Sequence, residues 1–147
     1  MINENQFNEI IFNKNNLVKN DKTFFGSPLK KFITTIYKTI EIPKESFIIS
    51  IYYLFKYYKI NKLNESKIFN LINNINVYIF SSIIIAVKQL LDQSFNVNDI
   101  CIILNISYVK YKNIELEILK GLDWNVLYET EQYYKFKNEV KHHIYSL

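Results

Sequence analysis

The chain has 147 residues, of which 49% are hydrophobic and 22% are charged, and it carries a net charge of +4. This length and balance predict one domain with a sizeable core and exclude wholesale disorder. Only 2 glycines and 2 prolines occur in the sequence, and so few breakers favour long helices over a fold of many short strands.

The first predicted elements in chain order are an N-terminal extension and two helices. Residues 1–27 are rich in Asn and Lys and predict an extension with one short helix at most. Ser27 can cap a helix and Pro28 suits its first turn, so a helix is predicted over 28–40. Pro43 opens a second helix that is apolar nearly all round through its middle, as expected for the buried central helix of a bundle.

The middle of the chain predicts a loop, a short amphipathic helix and a long apolar helix. Residues 61–66 read as a polar loop, and 67–76 follow with apolar side chains at helical spacing. Asn74 or Asn76 is placed to cap the next helix, which is predicted to run to about Asp92.

Local capping signals predict the remaining helices. Asn96, with an acidic residue three positions later, is similar to a capping box, and the short helix that it opens ends at Asn105. Ser107 is predicted to cap the following helix, which Gly121 helps to close. After a short irregular stretch, Thr130 caps a last amphipathic helix. The pattern predicts six or seven helices joined by short connections.

Groups that could carry catalysis or bind a metal are thinly spread. His142 and His143 are neighbours, so on a helix they point about 100° apart and cannot chelate one metal. Cys101 lies on the apolar side of a predicted helix, which favours a small core residue. Glu115 and Glu117 face different ways on a helix. We therefore expect no enzyme activity, no metal or other cofactor, and no small-molecule substrate.

Membrane and nucleic-acid partners are also disfavoured. The N-terminus lacks the pattern of a signal peptide, and the longest apolar run, Ile75–Val87, is shorter than the ~20 residues that span a bilayer. The single cysteine cannot form an internal disulfide, so we expect an intracellular location, in the cytoplasm or the nucleus. Every basic residue is Lys, and the absence of Arg, the usual residue for base and phosphate contacts, makes nucleic acid an unfavoured partner.

Two charged residues are embedded in otherwise apolar helical stretches. Lys88 follows two isoleucines by one turn, and Glu115 has Tyr111 and Leu119 one turn to either side. Lys88 can extend past the edge of the core to water, or the two charges can pair with each other inside the monomer. Alternatively, an apolar surface that carries one Lys and one Glu is typical of a protein-docking site.

Four segments, taken in order, resemble the cyclin box, the five-helix regulatory domain that binds cyclin-dependent kinases. SFIISIYYLFKYYKIN is similar to the second helix of that family, and NVYIFSSIIIAVKQLLDQ is similar to the third. SFNVNDICIILNIS occupies the place of the fourth helix, and NIELEILKGLDWNVLYETEQYY resembles the fifth helix and its tail. The resemblance covers 28–136 and is closest to the single-box P/U-type, related to the yeast phosphate-signalling cyclin. Residues 137–147 then form the end of a C-terminal helix.

The resemblance implies an all-α fold, a five-helix bundle around a central buried helix with flanking N- and C-terminal helices. It also implies a regulatory subunit that binds a cyclin-dependent protein kinase and stabilises its active conformation. The kinase-binding residues implied by the matching positions are Lys88, Glu115, Leu119, Trp124 and Val126, with Ile85 one turn before the lysine. The first helix lacks the Met-Arg-Ala-Ile-Leu motif, so the substrate-docking patch of cell-cycle cyclins is not implied.

Two other functions are compatible with the same helix order. A cyclin-like helical module can contact another protein or nucleic acid without activating a kinase. A helical scaffold protein is the second alternative, because the Ile- and Lys-rich composition is typical of an AT-rich genome and can produce apolar helices by composition alone.

Overall fold

The computed structural model describes residues 27–41, 43–61, 65–91 and 96–145, and these ranges contain seven helices and no strand. The helices are α1 (Ser27–Ile40), α2 (Lys44–Asn61), α3 (Glu65–Asn73), α4 (Ile75–Leu90), α5 (Val97–Leu104), α6 (Tyr108–Gly121) and α7 (Glu131–Tyr145). The predicted all-α class is therefore confirmed. The predicted N-terminal extension up to residue 26, the middle of the predicted polar loop at 62–64 and residues 92–95 lie outside the described residues.

The central helix of the bundle is α2, as its sequence predicts. It packs most extensively against α4 and also contacts α6 and α7. Its middle turns bury side chains on every side, among them Ile51 and Tyr53, and full burial of each such side chain favours folding by roughly 1.5–3 kcal/mol. Because α4 in turn packs along α6, these three helices form the frame that positions the site described below.

Side-chain caps set several helix boundaries where the sequence predicts them. The Asn96 side chain accepts a hydrogen bond from the Asp99 N–H at 3.3 Å, and Ser107 accepts one from the Lys110 N–H at 3.2 Å. Each cap satisfies one of the backbone donors that the first turn of a helix leaves unpaired. Asn105 ends α5 in left-handed backbone at φ 56°, a conformation that Asn adopts more readily than most residues.

The predicted side-chain cap is present at α7 but absent at α4. Thr130 Oγ1 accepts from the Tyr133 N–H at 3.2 Å, so the predicted cap of α7 is confirmed. Asn74 directly precedes α4, as predicted, but its side chain makes no capping bond. Its amide instead donates to the carbonyl and side-chain oxygens of Asn70, both at 2.9 Å. The chain passes from α3 into α4 almost without a break, so Asn74 bonds back to the preceding helix.

The end of α6 differs in detail from its prediction. Gly121 is the last helical residue and its φ is not positive. The glycine instead makes room for the ring of Tyr57, because a Cβ would lie 2.3 Å from Cδ2 of that ring. The left-handed residues that end the helix are Asp123, with φ 54°, and Trp124, with φ 60°. Left-handed backbone costs a residue with a side chain roughly 1–2 kcal/mol.

Three further predictions concern the core, the histidines and membrane spans. Cys101 is buried, as predicted for a small core residue, and burial raises the pKa of its thiol. The side chains of His142 and His143 lie outside the described residues. Within the described ranges no single helix is long and apolar enough to cross a membrane, although α3 and α4, bent by 82° at their junction, meet the length and composition together.

Candidate functional site

The two embedded charges lie next to each other on α4 and α6. Lys88 is in the last turn of α4, and Glu115 is in the middle of α6, 27 residues further along the chain. The Lys88 Nζ donates a hydrogen bond to Glu115 Oε2 at 3.3 Å. The side chain of Lys88 is 46% exposed and that of Glu115 is 8% exposed. The ion pair therefore lies at the boundary between the core and solvent.

Two further donors hold Glu115 in place. The hydroxyl of Tyr111, one turn earlier on α6, donates to the same Oε2, and the Lys112 Nζ lies 3.6 Å from Oε1. Tyr111 is 1% exposed, and its burial, together with the hydrogen bond to Glu115, raises the pKa of its hydroxyl well above the ordinary value. Glu115 thus satisfies a buried hydroxyl as well as a lysine. This role of Glu115 was not predicted, although a Tyr and a Glu at positions i and i+4 of one helix indicate such a contact.

This geometry bears on the alternatives that the sequence left open. Lys88 and Glu115 do pair inside the monomer, so that alternative is confirmed. The 46% exposure of the Lys88 side chain also fits a lysine that extends past the edge of the core. That a second protein docks on this pair stays a prediction.

An apolar strip continues from Glu115 along α6 and into the segment that follows it. Leu119 lies one turn after Glu115 and is half-buried against the core. The backbone N–H of Trp124 donates to the Leu119 carbonyl at 2.8 Å, which brings these two residues together. The Trp124 side chain is 58% exposed. An indole left this open on a helical bundle is a natural anchor for a protein partner.

The remaining two residues of the predicted kinase-binding set are less accessible. Val126 is half-buried, and its carbonyl accepts a hydrogen bond from the Tyr53 hydroxyl at 2.7 Å, which ties the segment after α6 to the central helix. Ile85 is 3% exposed and belongs to the core rather than to the surface. We use the name α4–α6 surface for Lys88, Leu119, Trp124 and Val126 together with Glu115, the buried carboxylate that pairs with the lysine.

Exposed aliphatic residues near the junction of α5 and α6 were not predicted. Ile102 is 70% exposed, Ile103 is 63% exposed and Val109 is 69% exposed. The sequence of α5 indicated this exposure, because the helix carries apolar residues on both of its sides. Only Ile100 and Cys101 of this helix are buried. These side chains add exposed apolar area near the start of α6, whereas Trp124 lies beyond the end of that helix. Exposed apolar area of this kind is typical of interaction surfaces.

The chemistry available at the α4–α6 surface is that of binding. It offers an ammonium donor, a carboxylate that already has several donors, and an exposed indole. Aromatic side chains beside a few oriented polar groups are characteristic of protein interfaces. Among the residues that the structure describes, no group of three or more His, Cys, Asp or Glu side chains could hold a metal ion.

The described residues form an all-α bundle around a buried central helix, with this surface on two of its helices. Comparison with protein-family models identifies the bundle as a cyclin-like regulatory helical module, because the model for the cyclin, N-terminal domain matches residues 5–127. The chain therefore belongs to the cyclin family and contains a cyclin box. The match begins within the predicted N-terminal extension, and the P/U-type within the family stays a prediction. Comparisons with curated proteins and with solved structures found no match.

Proposed function

We propose that this cyclin-family protein binds a cyclin-dependent protein kinase and stabilises the active conformation of that kinase. The observation that supports the proposal most directly is the α4–α6 surface. On this surface a half-exposed ammonium and an exposed indole border one helix of a cyclin box. The ammonium is fixed in position by a carboxylate that the core holds.

The residues of the surface have different roles in this proposal. Trp124 supplies the largest share of the affinity, because Trp is enriched among interface residues whose truncation costs about 2 kcal/mol or more. Leu119 extends the apolar contact from α6. Lys88 donates to carbonyl or carboxylate oxygens of the kinase, and such polar contacts fix orientation and register more than they add affinity.

The activating effect needs no catalytic residue from this chain. A protein kinase is active only when its strand lysine and the glutamate of its mobile helix are paired and its magnesium-binding aspartate is in place. A partner that binds this arrangement better than the inactive one shifts the population of kinase molecules towards it. The shift cannot exceed the difference in affinity for the two states.

Co-expression with the cyclin-dependent kinases of the same organism, followed by affinity purification and a kinase assay, tests the proposal. We expect one kinase to co-purify and to gain activity. Trp124→Ala is expected to weaken that binding about 30-fold and Lys88→Ala about tenfold. Phe69→Ala on α3 is the matched control, because it removes another exposed aromatic side chain, 67% exposed, from outside the α4–α6 surface.

Three outcomes would contradict the proposal or the surface assigned to it. If the wild-type chain binds none of these kinases, the protein is not a kinase partner. If a kinase binds but gains no activity, the chain is a helical binding module without an activating role. A kinase complex that is as sensitive to Phe69→Ala as to Trp124→Ala would locate the contact elsewhere on the bundle.

A further inference from the structure

A second candidate binding surface lies between α2 and α7, and none of its lining residues belongs to the α4–α6 surface. The second half of α2 and the first half of α7 enclose a groove of about 390 Å³. Its floor is aromatic: Phe55 and Phe136 stack with ring centroids 5.2 Å apart, and Tyr52 packs against Phe136 at 5.5 Å. These rings are almost fully buried, so the floor is rigid and belongs to the core.

The rim of the α2–α7 groove is rich in lysine. The Lys56 Nζ lies 5.5 Å from the centroid of the Tyr52 ring, and the Lys59 Nζ lies 5.1 Å from that of Phe55. Cation–π contacts at these distances hold the two ammonium groups over the floor. Lys135 lines the groove from α7, and Glu139 is the one acidic residue among the lining side chains.

The electrostatics of the groove favour an anion. Three lysines and one glutamate line it, so its net charge is positive. Burial lowers the pKa of the Lys56 ammonium, because the groove withholds part of the water that would solvate the charge. A carboxylate placed on the rim would restore that lost solvation. At one end the side chain of Ile60 is 56% exposed, which provides an apolar contact beside the cations.

We propose that the α2–α7 groove docks an acidic peptide segment that carries one bulky apolar side chain. Asp or Glu side chains of the segment pair with the rim lysines, and the apolar side chain covers Ile60. Nucleic acid fits less well, because Tyr52 and Phe136 are each only 2% exposed and present no free ring face on which a base could stack. The proposal does not depend on kinase binding, since the two surfaces share no residue.

Fluorescence anisotropy tests the proposal with the full chain and a labelled peptide of alternating Glu and Asp around one central Phe. We expect saturable binding that weakens as salt is added. Lys56→Gln combined with Lys59→Gln should lower the affinity about five- to tenfold. Lys110→Gln combined with Lys120→Gln removes the same charge from exposed positions of α6 and should leave the affinity unchanged.

A control peptide, a further variant and a DNA ligand complete the test. A peptide in which Lys replaces every acid should not bind, and Ile60→Ser should weaken binding of the acidic peptide although the exposed position leaves the fold intact. The proposal is overturned if the acidic peptide does not bind, if Ile60→Ser has no effect, or if the α6 control variant loses as much affinity as the groove variant. Equal binding of a single-stranded DNA with the same dependence on Lys56 and Lys59 would also overturn it.

Discussion

Truncation of Glu115 should cost far more stability than truncation of Lys88, although the two residues form one ion pair. Lys88→Ala removes a half-exposed cation, and such pairs contribute about 0–1 kcal/mol. Glu115→Ala removes the acceptor of the Tyr111 hydroxyl, which is 1% exposed. A buried hydroxyl left without a partner costs about 1–3 kcal/mol. With the lysine contacts added, we expect Glu115→Ala to lower the free energy of unfolding by about 2–4 kcal/mol.

A double-mutant cycle separates the two contributions. In a Tyr111→Phe background no hydroxyl remains to be stranded, so Glu115→Ala should cost about 1–2 kcal/mol less than it does in the wild-type chain. In a Lys88→Ala background the cost of Glu115→Ala should change by less than about 1 kcal/mol. Denaturant unfolding followed by circular dichroism measures each corner, provided that the slope with denaturant stays the same.

The chain contains a matched network on which the same reasoning can be checked. Glu45, at the start of α2, accepts from the hydroxyl of the buried Tyr133 and pairs with Lys137 at 3.0 Å. Glu45→Ala should therefore also destabilise the fold, but it should leave kinase binding unchanged in the variants that remain folded. Equal destabilisation by Lys88→Ala and Glu115→Ala would contradict these roles, and so would a cost of Glu115→Ala that Tyr111→Phe does not reduce.

Three other changes test different parts of the structure. Gly121→Ala should destabilise by about 1–3 kcal/mol, since its Cβ would lie 2.3 Å from the buried Tyr57 ring; denaturation that shows a gain over wild type would contradict this. Trp124→Gly should stabilise by up to about 1 kcal/mol by relieving a φ of 60°, yet weaken kinase binding in the pull-down. Stability should fall as pH rises above about 10, because buried tyrosines such as Tyr111 have a raised pKa and keep protons that the unfolded chain loses. Denaturant unfolding that shows no loss of stability above that pH would contradict this.

Local signals in the sequence were enough to predict much of the fold. Helix starts at Ser107 and Thr130 depend on contacts between residues three apart, so short motifs determine them. The central helix was predictable because a helix that is apolar nearly all round has no stable place except a core. The Asn74 side chain does not cap α4, because its amide donates to Asn70 of the preceding helix, α3. Such a bond depends on how the two helices meet, which the local motif does not contain.

Features that depend on contacts between distant residues were only partly predictable. The sequence placed Lys88 and Glu115 beside apolar stripes, but whether the two charges meet depends on the packing of α4 against α6. The same packing puts Ile85 in the core instead of on the surface. Gly121 was assigned to helix termination from its type alone, whereas its observed role comes from Tyr57, which lies far away in the chain.

The pairing of Lys88 with Glu115 inside the monomer is compatible with docking and would assist it. An ammonium has three N–H donors, and the hydrogen bond to Glu115 uses one of them. The buried Tyr111 hydroxyl donates to Glu115 and restrains it, and Glu115 in turn restrains Lys88. The lysine side chain therefore has less conformational entropy to lose when a partner binds. Lys88→Arg should therefore preserve the internal pair but alter partner affinity, since the longer planar guanidinium places its remaining donors differently. A partner contact that tolerated this change fully would mean that the site requires only a positive charge.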